Sequence, residues 1–64
     1  MEFTYWVWYT KTYEDGFQGA DIKDDFKDLA EAWNYYNEYK AEHPDDYNLM
    51  LCVNGVPIAA AKEV

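Results

Sequence analysis

Serine and arginine are absent from this chain of 64 residues, and cysteine and histidine occur once each. Without serine the commonest hydroxyl nucleophile is missing. The lone Cys52 excludes an internal disulfide and a multi-cysteine metal knuckle, and it suits a reducing, cytosolic setting. Cations are scarce: five lysines face 13 acids, for a net charge of −8. Such a surface repels nucleic acid and anionic membranes, so direct binding to either is not expected. No apolar run reaches the roughly 18 residues that would mark a membrane-spanning helix. The opening MEFTYWVWYT has neither a basic segment nor a small-residue cleavage site, so it does not read as a signal peptide. Gly16, Gly19 and Gly55 form no phosphate-cradling motif.

What is abundant is aromatic: three Trp, three Phe and seven Tyr. Half of the residues are apolar, too many for a disordered acidic tail. At this length burial and chain entropy nearly cancel. Large rings that each bury about 150–250 Å² can stand in for missing disulfides. The same rings are typical of binding faces, where they give rigid contact area with a polar tip. Composition alone leaves both roles open.

The pattern predicts an α+β domain over 1–64: one helix on one face of a three- to four-stranded, mainly antiparallel sheet, βαββ or ββαββ. Residues 2–13, EFTYWVWYTKTY, read as a strand of β-branched and aromatic residues. Phe3, Tyr5, Val7 and Tyr9 fall on one side; Thr4, Trp6, Trp8 and Thr10 fall on the other. Asp15-Gly16 signals a two-residue hairpin turn, and FQGADI a short return strand, with Gly19 marking a bulge or irregular loop. A helix is expected from about Asp24 to Glu42, with Phe26, Leu29, Ala30, Trp33 and Tyr36 as its buried stripe, stopped by His43-Pro44. YNLMLCV (47–53) and VPIAAAK (56–62) read as strands around an Asn54-Gly55 type I′ turn. Pro57 suits an edge strand.

A single helix covers one sheet face only. Whichever face it covers, one aromatic set remains outside. With Phe3, Tyr5 and Val7 inward, Trp6, Trp8 and Met50 form a candidate interface, unless the segment 12–24 folds over them.

The second feature is a row of acids. Asp24, Asp28, Glu31, Glu38 and Glu42 recur at helical spacing, with Tyr35 and Tyr39 among them and Asp45 and Asp46 just beyond. Lys27 and Lys40 offset little of it. One reading is that these acids only keep a sticky small protein soluble. The other is that a single-sign row stands in for phosphates and engages a basic surface on a protein partner.

Catalytic and metal chemistry find little support. Paired carboxylates need a pocket that separates their pKa values, and a one-layer domain offers little concavity. His43 is placed to meet the negative end of the helix dipole. Glu42, His43, Asp45 and Asp46 lack the spacing of a known metal site. Cys52, among apolar strand residues, reads as a small hydrophobe. A non-enzymatic role with no cofactor and no metal is therefore the expectation.

In style, the short length, the arginine-free acidic balance, the helix DDFKDLAEAWNYYNEYKAEH and the aromatic strand FTYWVWY resemble small acidic phage-encoded inhibitors of the anti-CRISPR and DNA-mimic anti-defence type. That resemblance covers the whole chain without a diagnostic motif. It implies a stoichiometric inhibitor that occupies a basic nucleic-acid-binding site of a host defence or DNA-handling protein, in the cytoplasm of a bacterial host. The alternative from the residues themselves is a protein–protein or homodimerisation module that binds through the aromatic sheet face.

Overall fold

The computed structural model describes residues 2–61. The element order is β1 (Tyr5–Thr12), β2 (Gln18–Lys23), α1 (Leu29–Glu42), β3 (Met50–Val53) and β4 (Val56–Ala60). The strands form one antiparallel sheet in the order β2-β1-β3-β4, with the helix laid on one face. The α+β ββαββ reading holds.

β1 lies at the centre because its alternation serves two neighbours. Val7 pairs with Lys23 on one side and Leu51 on the other; Trp8 pairs with Ile22 and Met50. β2 forms in full and Gly19 introduces no register shift. A Cβ at Gly19 would meet the Tyr13 and Phe17 rings at 3.4 Å, so the glycine lets both rings close over the backbone. The expected two-residue turn is instead a five-residue connection, 13–17. Tyr13 N–H donates to Phe17 O, Gly16 takes φ +84°, and the Asp15 carboxylate accepts from Phe17 N. The local Asx turn lengthens the loop that the Asp-Gly pair alone would have closed.

The helix starts at Leu29, not near Asp24. Asp28 is the N-cap: it is extended, and its carboxylate accepts the Glu31 N–H at 2.9 Å. Among several consecutive acids, the one followed three residues later by Glu31 gains a capping pair, since Glu31 reaches back to the Lys27 N–H at 3.5 Å. Lys27 thus precedes the helix. The buried stripe runs through Leu29, Ala32, Trp33 and Tyr36. Ala32, fully buried, replaces the expected Ala30, which is exposed. His43 caps the other end, its N–H donating to Tyr39 O, and Pro44 follows.

β3 is shorter than the apolar run 47–53. Beyond Met50 the β1 partner Thr10 gives its N–H to the Asp46 carboxylate at 2.8 Å, so a side chain ends the ladder. Tyr47, expected to point with Leu49 and Leu51, is 62% exposed. Asn54 (φ 51°) and Gly55 (φ 80°) make the predicted turn, and Asn54 Oδ1 also accepts from Thr4 N. β4 is an edge strand, with Pro57 opposite Cys52 at a register shift. The expected end of this strand, Lys62, lies outside the described residues.

The core is Val7, Ala32, Tyr36, Leu49 and Leu51, with Tyr5, Tyr9, Leu29, Trp33 and Ala59 packed around it. Trp33 meets Tyr36 edge-on, centroids 5.7 Å apart. Phe3, expected with this group, is 51% exposed and only stacks on Tyr5.

Candidate interaction surfaces

The acidic candidates divide into two groups. Glu31, Glu38 and Glu42 are exposed on α1, in one line about 16 Å long at 1.5 Å per residue. Asp24 and Asp45 are exposed on the segments flanking the helix. The ion pairs among the described residues are Lys11–Asp21 at 3.5 Å and Lys23–Asp25 at 2.8 Å, so these five carboxylates carry no lysine partner there. The four residues of these two pairs lie elsewhere, on the β2 side of the molecule.

The remaining candidates are committed to the fold. Asp28 caps the helix. Asp46, half-buried, accepts from Thr10 N, from Thr10 Oγ1 at 2.7 Å and from Asn48 N at 3.0 Å. Burial pushes its carboxyl up, but these hydrogen bonds outweigh that and hold it below the ordinary carboxylate range. Tyr35 and Tyr39, expected on the outward face, turn inward along its flank. Tyr35 packs on Phe26 (5.5 Å between centroids) and on Tyr39 (6.2 Å), with Lys23 Nζ 5.4 Å from its ring. Tyr39 leans on Tyr9 and donates its hydroxyl to Thr10 O at 2.9 Å. Burial first, and then the Asp46 carboxylate, push the Tyr39 phenol up to about 12, so it remains a donor through the neutral range. The helix repeat could not separate these two tyrosines from the glutamates between them, because they sit at the border of the apolar stripe.

On the other side of the sheet, Trp6 pairs with Cys52, and Trp8 with Met50 and Ile22. Alternation puts Thr10, Ala20, Gln18 and Ala60 on the same face. The segment 12–24 does not fold over it, because those residues form β2 within the sheet plane. Trp6 and Trp8 lie side by side, centroids 6.4 Å apart, and both are half-buried. Between strand neighbours Cys52 is buried, and burial pushes its thiol up, away from reactivity. Ile22 and Ala20 join Trp6, Trp8 and Met50 here. They were out of reach of the sequence because their side depends on the register of β2.

The strands contain three charged residues, Lys11, Asp21 and Lys23, and all three lie on the helix side. The open face carries none. A shallow cleft of about 870 Å³ runs between β1–β2 and the 43–48 loop, bordered by Thr10, Gln18, Tyr39, His43, Asp45 and Tyr47. Among the described residues no three His, Cys, Asp or Glu side chains converge as metal ligands. No helix among them is long and apolar enough to cross a membrane.

Comparison with family models, with curated proteins and with solved structures gave no match for this chain.

Proposed function

We propose that this protein is a non-enzymatic inhibitor that occupies the basic nucleic-acid-binding site of another protein. The observation that carries this reading is the line Glu31, Glu38 and Glu42 on a capped, well-anchored helix, extended by Asp24 and Asp45. None of these carboxylates has a lysine partner among the described residues. A site built to release counterions from nucleic acid attracts any dense anion array. Fixing the row on a helix lowers the entropy cost of presenting several charges together. Binding is fast and strongly salt-dependent in this reading, and competes with nucleic acid. The style of the chain, short, acidic and arginine-free, is that of phage-encoded anti-CRISPR and DNA-mimic inhibitors, which supports a host defence or DNA-handling protein as the target.

The test is affinity capture from bacterial lysate with the wild type and with a Glu31→Gln, Glu38→Gln, Glu42→Gln triple variant. The expected result is a partner held at low salt, released by high salt and by excess duplex DNA, and lost with the triple variant. The same proteins retained by both versions, at both salt levels and in the presence of DNA, would overturn the electrostatic reading.

A further inference from the structure

We infer that the open sheet face is the contact surface for a second copy of this chain, giving a face-to-face homodimer with the helices outermost. This inference is independent of the acidic row and rests on the other side of the molecule.

The first observation is composition by side. In a chain that is 28% charged, the face that displays Trp6, Trp8, Met50 and Ile22 has no charged strand residue. Monomer surfaces need no such clearance. Interface centres show this depletion of charge together with Trp and Met. The strand side chains at the margin, Thr10 and Gln18, are uncharged, and the carboxylate that reaches it, Asp46, is already engaged by Thr10 N, Thr10 Oγ1 and Asn48 N. A heterologous partner with a cationic rim would find no charged strand residue on this face to pair with, and only an Asp46 carboxylate already held by Thr10 and Asn48, whereas an identical face meets the uncharged strand centre with its own. Such a contact is isologous about a two-fold axis.

The second observation is charge geometry. Two chains of −8 repel unless their acids are kept apart. Sheets stack about 10 Å apart, and helices pack about 10 Å further out on each side. The two glutamate rows would then be separated by about 30 Å, several times the screening length of about 8 Å at physiological salt. The helix-side position of Lys11, Asp21 and Lys23 makes this separation possible.

The third observation is size. Four strands about 4.8 Å apart, each about 15–30 Å long, give about 400 Å² in plan for each copy. Doubled, and with side-chain relief added, that reaches the roughly 1,000 Å² expected of a specific but weak interface. Association in the micromolar range is expected, not an obligate dimer.

Sedimentation velocity over a wide concentration series tests this directly. The wild type is expected to pass from monomer to dimer with rising concentration. Ala20→Glu sets a charge on the open face at an exposed edge-strand position, and is expected to weaken the dimer at least tenfold with an unchanged circular dichroism spectrum. Glu38→Gln, on the other side, should leave the dimer intact or slightly tighter. If the wild type stays monomeric at the highest soluble concentration, the face serves another partner and the inference is wrong. It is equally wrong if a folded Ala20→Glu protein, confirmed by a second folded variant, Ile22→Lys, dimerises as the wild type does.

Discussion

The two faces of β1 differ more than its sequence suggests. Val7 is fully buried, while Trp6 and Trp8, its immediate neighbours, are half-buried against strand neighbours and solvent. Tyr9 finds a hydrogen-bond partner in Asp21 across the helix-side face, at 3.1 Å. No charged strand residue lies on the other face. Aromatic content alone therefore does not mark the core. Cover decides it: on one side rings and aliphatic groups are closed off by α1, and on the other they remain a surface.

Truncation of Leu51 gives the largest expected contrast. It sits fully buried beneath the helix, and Leu51→Ala should cost about 2–5 kcal/mol, enough to unfold much of a domain this small. Chemical denaturation should show it, whereas Ile58→Ala should shift the midpoint far less, since Ile58 is 44% exposed on β4 and alternates with Ala59 to the Ala60 side. If the two variants were equally destabilising, the division into a covered and an uncovered face would fail.

Asp46 comes next. Asp46→Ala removes the acceptor of Thr10 N–H and Oγ1 and should cost about 1–3 kcal/mol. Hydrogen exchange at the Thr10 amide should rise with it. The carboxyl is held below its ordinary value in the fold. Its contribution is therefore present above the unfolded pKa of about 4 and is lost as pH falls through the lower folded value. The wild type should lose stability below about pH 4, and the variant should lose less over the same range.

A smaller effect is expected at the helix start. Asp28→Ala removes the N-cap and should cost about 1 kcal/mol, seen as a lower thermal midpoint, while Asp24→Ala should be nearly silent. Smallest of all is the glutamate triple, which should change stability by less than about 0.5 kcal/mol, because the amide oxygen of Glu31→Gln can still accept from Lys27 N–H and like-charge neighbours Glu38 and Glu42 are relieved as the charges go. A large loss of stability in that variant would mean that the row is part of the fold and not a surface free to bind.

Much of this architecture was readable in advance. Asn54-Gly55 was clear because a two-residue turn needs positive φ at both positions and few pairs supply it. The helix was clear in its extent toward Glu42, since Pro44 stops it. Its start was misplaced because Asp21, Asp24, Asp25 and Asp28 are all capable caps, and only the three-residue offset to Glu31 singles out Asp28. The short β3 was hidden because Asp46 ends it by reaching Thr10, 36 residues away. The site was less legible than the fold. Tyr35 and Tyr39 share helical rows with the acids, and their inward turn depends on Phe26, Lys23 and Tyr9, which lie outside the helix. The pairing of Trp6, Trp8 and Met50 followed from alternation, but the absence of charged strand residues from the whole face emerged only once β2 had a register.

The outer strands carry one last consequence. On β4, Pro57 has no amide hydrogen to offer and stands at an irregular pairing; on β2, the Ile22 amide is already held by the Asp21 carboxylate at 2.8 Å. Sideways addition of further strands is therefore discouraged at both ends of the sheet. Any association of this aromatic protein is thereby steered away from open-ended fibril growth and toward a closed, countable number of copies.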